Sequence, residues 1–257
     1  MPSLESLSNL ALVTFDAPER LLAAFGVLVL AYAFFHLLGF GTGLIASTPL
    51  AWVMPVPRII PLLALLDALS ALQRGWRARK DVDKSALGQL IPSMALGQAL
   101  GVGLLKLLPL SLSAGLLGGF VMLYGLHGLR PLPGLGAWRG PTVAYGLLGG
   151  IMGGMFGSGG FVYAACLKAR HGDDRARFRA TQAVVISLST LWRIALCALA
   201  GLVDLPLLLT ALLLLPALPL GAALGNWLDK RLDAKGFARL LNGFLVISGV
   251  ALVLRGL

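Results

Sequence analysis

Long apolar runs alternate with short polar stretches along this chain. A membrane-spanning helix needs about 20 predominantly apolar residues, and residues 21–39, 85–105, 110–129, 181–201, 205–228 and 237–254 meet that requirement. Three stretches are less regular. Residues 44–57 and 59–73 are short and bounded by prolines, while residues 141–167 are too long for one upright helix and contain GGIMGGMFGSGG. Glycine costs roughly 1 kcal/mol relative to alanine inside a helix. That last stretch is therefore predicted to form two shorter helices meeting at residues 157–160.

Composition supports the membrane reading. The chain has 257 residues, 58% hydrophobic and only 12% charged, with a mean hydropathy of +0.87. That is too little charge to coat a soluble globule. The net charge of +10 does not form one basic tract interleaved with aromatics, which argues against a nucleic-acid partner. Cys166 and Cys197 both lie in apolar runs and suggest no disulfide framework. His36, His127 and His171 show no metal-ligand spacing, so neither metal nor cofactor is expected. The first apolar run follows Asp16, Glu19 and Arg20 instead of a basic leader, so it is expected to remain in the mature protein.

Loop charge sets a topology. Basic residues gather at 74–84 (RGWRARKDVDK), 168–179 (KARHGDDRARFR) and 230–239, all cytoplasmic under the positive-inside rule. Residues 85–105 then lead out and 110–129 lead back. Residues 141–167 must make an even number of crossings, which two short helices satisfy.

The halves resemble each other. LIPSMALGQALG at 90–101 aligns without gaps on LLPALPLGAALG at 214–225; LSALQR at 69–74 matches LSTLWR at 188–193, and FGTG at 40–43 matches FGSG at 156–159. Equivalent loops carry opposite charge bias, as halves inserted upside down would. The expected fold is all-α: a polytopic transmembrane protein of two inverted repeats, 1–133 and 134–257, with about five membrane segments each. Helices are expected to break at the glycine motifs.

Unwound backbone survives inside a bilayer only where it is buried in protein or lines a polar cavity. Each break starts a new helix whose first N–H groups lack acceptors, and such a helix start attracts anions. Gly41, Gly43, Gly157, Gly159 and Gly160 let backbone approach a ligand. Thr42 and Ser158, in equivalent places, are expected to cap the empty site and donate to a bound ion; Ser47 and Thr48 lie about one turn further on. Gly149 to Gly154 also show the small-residue spacing of close helix packing. Arg193 and Asp67 sit within apolar segments, where charge is costly and faces a cavity or a partner. Arg193 is expected to attract the anion; Asp67 either pairs with it, takes up a proton or pins a helix. Gln182 and Tyr163 are polar groups close enough to the second break to reach the cavity.

These motifs, GFGTGLIASTPL at 39–50 and GGMFGSGGFVYAACL at 153–167 in a duplicated chain, resemble the sulfite exporter TauE/SafE family of bacterial membrane permeases. Thr42 and Leu44 replace glycines common in that family's first motif. The resemblance implies movement of a small anion, sulfite, a sulfonate or a related organosulfur compound, across the bacterial inner membrane. The expected partners are that anion and the lipid bilayer, with a homodimer left open. A secondary transporter working by alternating access is the leading expectation; a passive anion channel is the alternative. An assembly factor or an intramembrane enzyme ranks lower, since no embedded nucleophile, base and metal-ligand constellation appears.

Overall fold

A computed structural model describes residues 18–38, 42–79, 81–130, 140–172, 174–229, 231 and 234–256. Among the described residues the regular structure is helical throughout. In chain order the helices are α1 (Pro18–Leu38), α2 (Thr42–Leu50), α3 (Val56–Ala78), α4 (Lys84–Leu107), α5 (Leu110–Leu129), α6 (Thr142–Phe156), α7 (Gly160–His171), α8 (Arg175–Leu199), α9 (Leu205–Leu214), α10 (Ala217–Asp229) and α11 (Ala234–Gly256).

Local chemistry marks the helix starts. The Asp83 carboxylate accepts from the Ser85 and Ala86 amides at the head of α4, Asp174 from Arg177 at α8, and Asp204 from Leu207 at α9, each satisfying donors that the first turn leaves open. Prolines 55, 109 and 141 precede α3, α5 and α6. Three element boundaries differ from the hydropathy reading. The stretch 44–57 is helical only as far as Leu50, and Val56 already belongs to the next helix. α3 continues past residue 73 to Ala78 and so carries the first basic residues of the polar stretch within its last turns. Residues 205–228 are not one helix but α9 and α10. The sequence there has both Pro216 and Pro219, and each removes a backbone donor. α4 contains Pro92 alone and runs through it.

Among the described residues six stretches are long and apolar enough to cross a membrane: Pro18–Phe35, Val56–Ala78, Lys84–Leu107, Leu110–Leu129, Arg175–Leu199 and Leu205–Leu228. α2 has 9 residues, a length of about 13 Å, far less than the hydrocarbon thickness. It is held in the interior instead. Ile45, Ala46 and Leu50 of α2 pack with Ile59, Ile60, Leu62, Leu63 and Leu66 of α3 in the main buried cluster. Exposed leucines such as Leu22, Leu107 and Leu199 lie on the outer surface.

The dominant helix pairings are α4 with α6, α5 with α11, α1 with α10, and α3 with α8. The α4–α6 seam is close enough that a methyl group on Gly97 would lie 2.2 Å from the Leu147 carbonyl oxygen. Among the described residues two arginine–aspartate pairs join distant parts of the chain, Arg58 Nη2 to Asp204 Oδ2 and Arg170 Nε to Asp83 Oδ2, both at 2.9 Å, and His171 Nε2 lies 3.7 Å from the same Asp83 oxygen. The Ala86 amide, helped by Arg170 and opposed by burial, holds the Asp83 carboxyl below the usual aspartate value. Asp83 therefore remains charged until the pH falls below the ordinary carboxylate range.

Candidate functional site

α6 ends where Gly157 turns into the left-handed region, with φ of 68°. The Gly157 N–H donates to Gly153 O at 3.0 Å and the Ser158 N–H to Met152 O at 3.4 Å. The first of these is the 5→1 bond of a left-handed helix C-terminus, which favours glycine at the turn. α7 then begins at Gly160. Gly159 gives it no side-chain cap, and the Ser158 hydroxyl donates instead to Phe156 O at 3.0 Å. The N–H groups of Gly159, Gly160 and Phe161 have no acceptor among the described residues.

α2 meets this turn from the other half of the chain. A methyl group on Gly43 would lie 2.7 Å from the Gly157 carbonyl oxygen and 2.9 Å from that of Phe156, so only glycine lets the two backbones touch. Thr42, the first residue of α2, donates its hydroxyl to Asp67 Oδ2 at 2.7 Å, and the Tyr32 hydroxyl donates to Asp67 Oδ1 at 2.8 Å. Gly41 lies outside the described residues.

A small cavity of about 50 Å³ lies where these elements converge. Thr42, Asp67, residues 157–160, Tyr163 and Arg193 all line it, with Phe35, Tyr124, Phe161, Ile186, Ser189 and Thr190 completing the wall. Arg193 is 4% exposed. Its Nη1 donates to Gly153 O at 3.2 Å, and its Nε has no partner. No carboxylate lies within 4.0 Å of the guanidinium among the described residues. The Tyr163 hydroxyl is likewise fully buried without a partner. A buried charge is costly unless an opposite charge or several hydrogen bonds compensate it. This cavity therefore combines an uncompensated cation, an unpartnered hydroxyl and open amide donors.

The sequence matches the family described as Sulfite exporter TauE/SafE over residues 23–252. This chain belongs to that family. It is 29% identical, over 74% of its own length and 81% of the relative's, to the probable inner membrane transporter protein TsaS of Comamonas testosteroni. No solved structure matches. With its apolar spans, this TauE/SafE protein is a multi-pass inner-membrane transporter.

Other residues of this TauE/SafE chain stand differently from the cavity. Ser47 and Thr48 are fully buried in α2, have no partner for their hydroxyls, and are not in the cavity wall. Gln182 is half-buried on α8, one turn before Ile186, and also outside the wall. Ser189 and Thr190 are in the wall although the sequence reading did not single them out. The signal was present: Ile186, Ser189, Thr190 and Arg193 follow the i, i+3, i+4, i+7 spacing of one helix face. Gln98, whose Nε2 donates to Ser189 Oγ at 2.7 Å, gave no such signal because α4 and α8 are remote in sequence. Phe35, Tyr124 and Phe161 come from three helices and likewise share no local pattern.

Proposed function

We propose that this protein is a secondary transporter that carries a small oxyanion, such as sulfite or an organosulfonate, by alternating access around the cavity. The observation that carries the reading is Arg193: a cation with no carboxylate partner among the described residues, in the wall of a cavity that also contains the amides of Gly159, Gly160 and Phe161, which have no acceptor among those residues. An oxyanion supplies the missing negative charge and accepts from those amides in place of water. Gly43 and Gly157 bring the two breaks together, Ser158 shapes the turn, and Tyr163 offers a further donor. Asp67, held by Tyr32 and Thr42, places the one carboxylate of the wall. It is the group suited to exchange a proton with the cavity.

The helix pairings support two inverted repeats, 1–133 and 134–257. If α1–α5 correspond in order to α6, α7, α8, α9 with α10, and α11, then the α4–α6 pairing is the counterpart of α10–α1. The α5–α11 and α3–α8 pairings map onto themselves, and α1–α2 maps onto α6–α7. This exchange is expected of two copies related by a twofold axis, and the odd number of segments per half together with the opposite loop charge favours an axis in the membrane plane.

The test is sulfite or sulfonate flux into proteoliposomes containing the intact protein. Saturable flux is expected, with Arg193→Met lowering it about 100-fold, the scale for removing one partner of a buried charged contact, and Arg193→Lys restoring part of it. Wild-type flux in a folded Arg193→Met variant overturns the anion site. Flux that never saturates and ignores ion gradients replaces the transporter with a passive pore.

A further inference from the structure

We infer that Gln98 is a positioning residue that makes the Ser189 hydroxyl a donor to the transported anion; this rests on the cavity being the anion site. Serine in a helix commonly bonds back to the carbonyl four residues earlier. Ser93 does so with Gln89, Ser187 with Ala183 and Thr210 with Pro206. Ser189 has no such bond. Its oxygen instead accepts from Gln98 Nε2 at 2.7 Å. A hydroxyl has one proton and two lone pairs, so this contact occupies a lone pair and leaves the proton available. Its neighbour in the cavity wall is the Tyr163 hydroxyl, which has no other partner, so the proton turns toward Tyr163 in the empty cavity and toward an anion in the filled one.

Gln98 is fully buried, and its packing links it to the cation. A methyl group on Gly153 would lie 3.1 Å from Gln98 Nε2, while the Gly153 carbonyl accepts from Arg193. Gln98, Gly153, Arg193 and Ser189 thus form one cluster. In the aligned repeats Gln98 stands opposite Ala222, so the second half has no counterpart of this arrangement.

A double-mutant cycle reads the coupling. Sulfite affinity is measured by thermal shift on the purified full chain for Gln98→Met, Ser189→Ala, both together, and Arg193→Met. Each of the first two is expected to weaken affinity about tenfold, with the double variant no weaker than Ser189→Ala alone. Multiplying effects, as a purely structural glutamine would give, overturn the inference, as does unchanged affinity in Gln98→Met. Gln98→Glu, of nearly the same volume, takes the Ser189 proton as an acceptor. It is expected to bind more weakly still, and binding equal to wild type overturns the inference. Lost binding in Arg193→Met with none of these effects removes Gln98 and Ser189 but keeps the anion site; no loss in Arg193→Met removes both.

A different observation carries a second inference: the geometry points to two charge latches at opposite ends of the α3–α8 pair. Arg58 lies in the first turn of α3 and binds Asp204, just beyond the end of α8. Asp83 lies just beyond the end of α3 and binds Arg170, just before α8. α3 has 23 residues, so the contacts are about 30 Å apart along it. Each joins one half of the chain to the other, and each uses the aspartate that caps the fourth segment of its half, Asp83 for α4 and Asp204 for α9. The Arg58–Asp204 pair is part-exposed on both sides, and such pairs are worth about 0–1 kcal/mol, weak enough to open in every cycle; in the Asp83–Arg170 pair the carboxylate is largely buried while the guanidinium reaches the surface, which makes it the firmer latch. Alternating access, on which this rests, needs one end open while the other stays closed.

Asparagine caps as well as aspartate, so Asp83→Asn and Asp204→Asn remove the charge and keep the helix start. Thr190→Cys, in a chain with Cys166→Ala and Cys197→Ala, is labelled with an impermeant maleimide from each face of oriented vesicles. Asp83→Asn is expected to raise labelling roughly two- to fivefold from the face bearing the basic loops, and Asp204→Asn from the opposite face. Unchanged labelling, or a rise from the same face in both, overturns the latches. Equal simultaneous labelling from both faces without either substitution overturns alternating access itself.

Discussion

The two breaks carry nearly the same four residues, FGTG and FGSG, yet their surroundings differ. At the first, the Thr42 hydroxyl is committed to Asp67, which also accepts from Tyr32. At the second, Ser158 bonds only to its own turn, while the Gly159, Gly160 and Phe161 amides and Arg193 Nε have no partner. One side of the cavity presents a carboxylate held by two hydroxyls; the other presents a guanidinium with no carboxylate beside it among the described residues. Duplication of a backbone motif thus supplies the frame, and divergence of the side chains behind it supplies the polarity that an anion senses.

The sharpest way to break this comparison is at the contact between the motifs. Gly43→Ala sets a methyl group 2.7 Å from one carbonyl oxygen and 2.9 Å from another, and backbone cannot yield as a side chain does. A loss of about 1–3 kcal/mol is expected, the usual range for overpacking, with reduced flux. Gly157→Ala meets Arg193 Nη1 only at 3.4 Å, but must hold φ at +68°; a loss of about 1–2 kcal/mol is expected from that strain. Thermal unfolding of the two variants checks the order, and a Gly157→Ala that costs more contradicts the packing account.

The hydroxyls provide a smaller test. Thr42→Val removes a donor from a buried carboxylate, so about 1–3 kcal/mol of stability should be lost. Ser158→Ala removes a bond to a neutral carbonyl and should cost no more than about 1 kcal/mol. Unfolding measurements on both decide the matter. Equal losses would mean that the two breaks are held in the same way after all.

Part of the cavity was legible in the sequence because its signals are local. Thr42, residues 157–160, Asp67, Tyr163 and Arg193 each stand out as a polar or flexible residue within an apolar run, and all line the cavity. Ser47 and Thr48 share that local signature but lie outside the wall, since proximity along a helix does not select the side that faces a cavity. Ser189 and Thr190 needed only the helical spacing from Arg193. Gln98 required knowledge that α4 crosses α8.

Hydropathy and loop chemistry by themselves determined that this chain is a helical membrane protein with interrupted segments, because the transfer of about 20 apolar residues into lipid and the conformational cost of glycine are properties of short stretches. Tertiary structure alone decided that Gly43 meets Gly157, that Asp67 is engaged by hydroxyls, and that Arg193 has no carboxylate beside it among the described residues. Whether a buried polar group finds a partner depends on atoms brought from distant helices to within about 3 Å, and spacing along the chain carries no record of that distance.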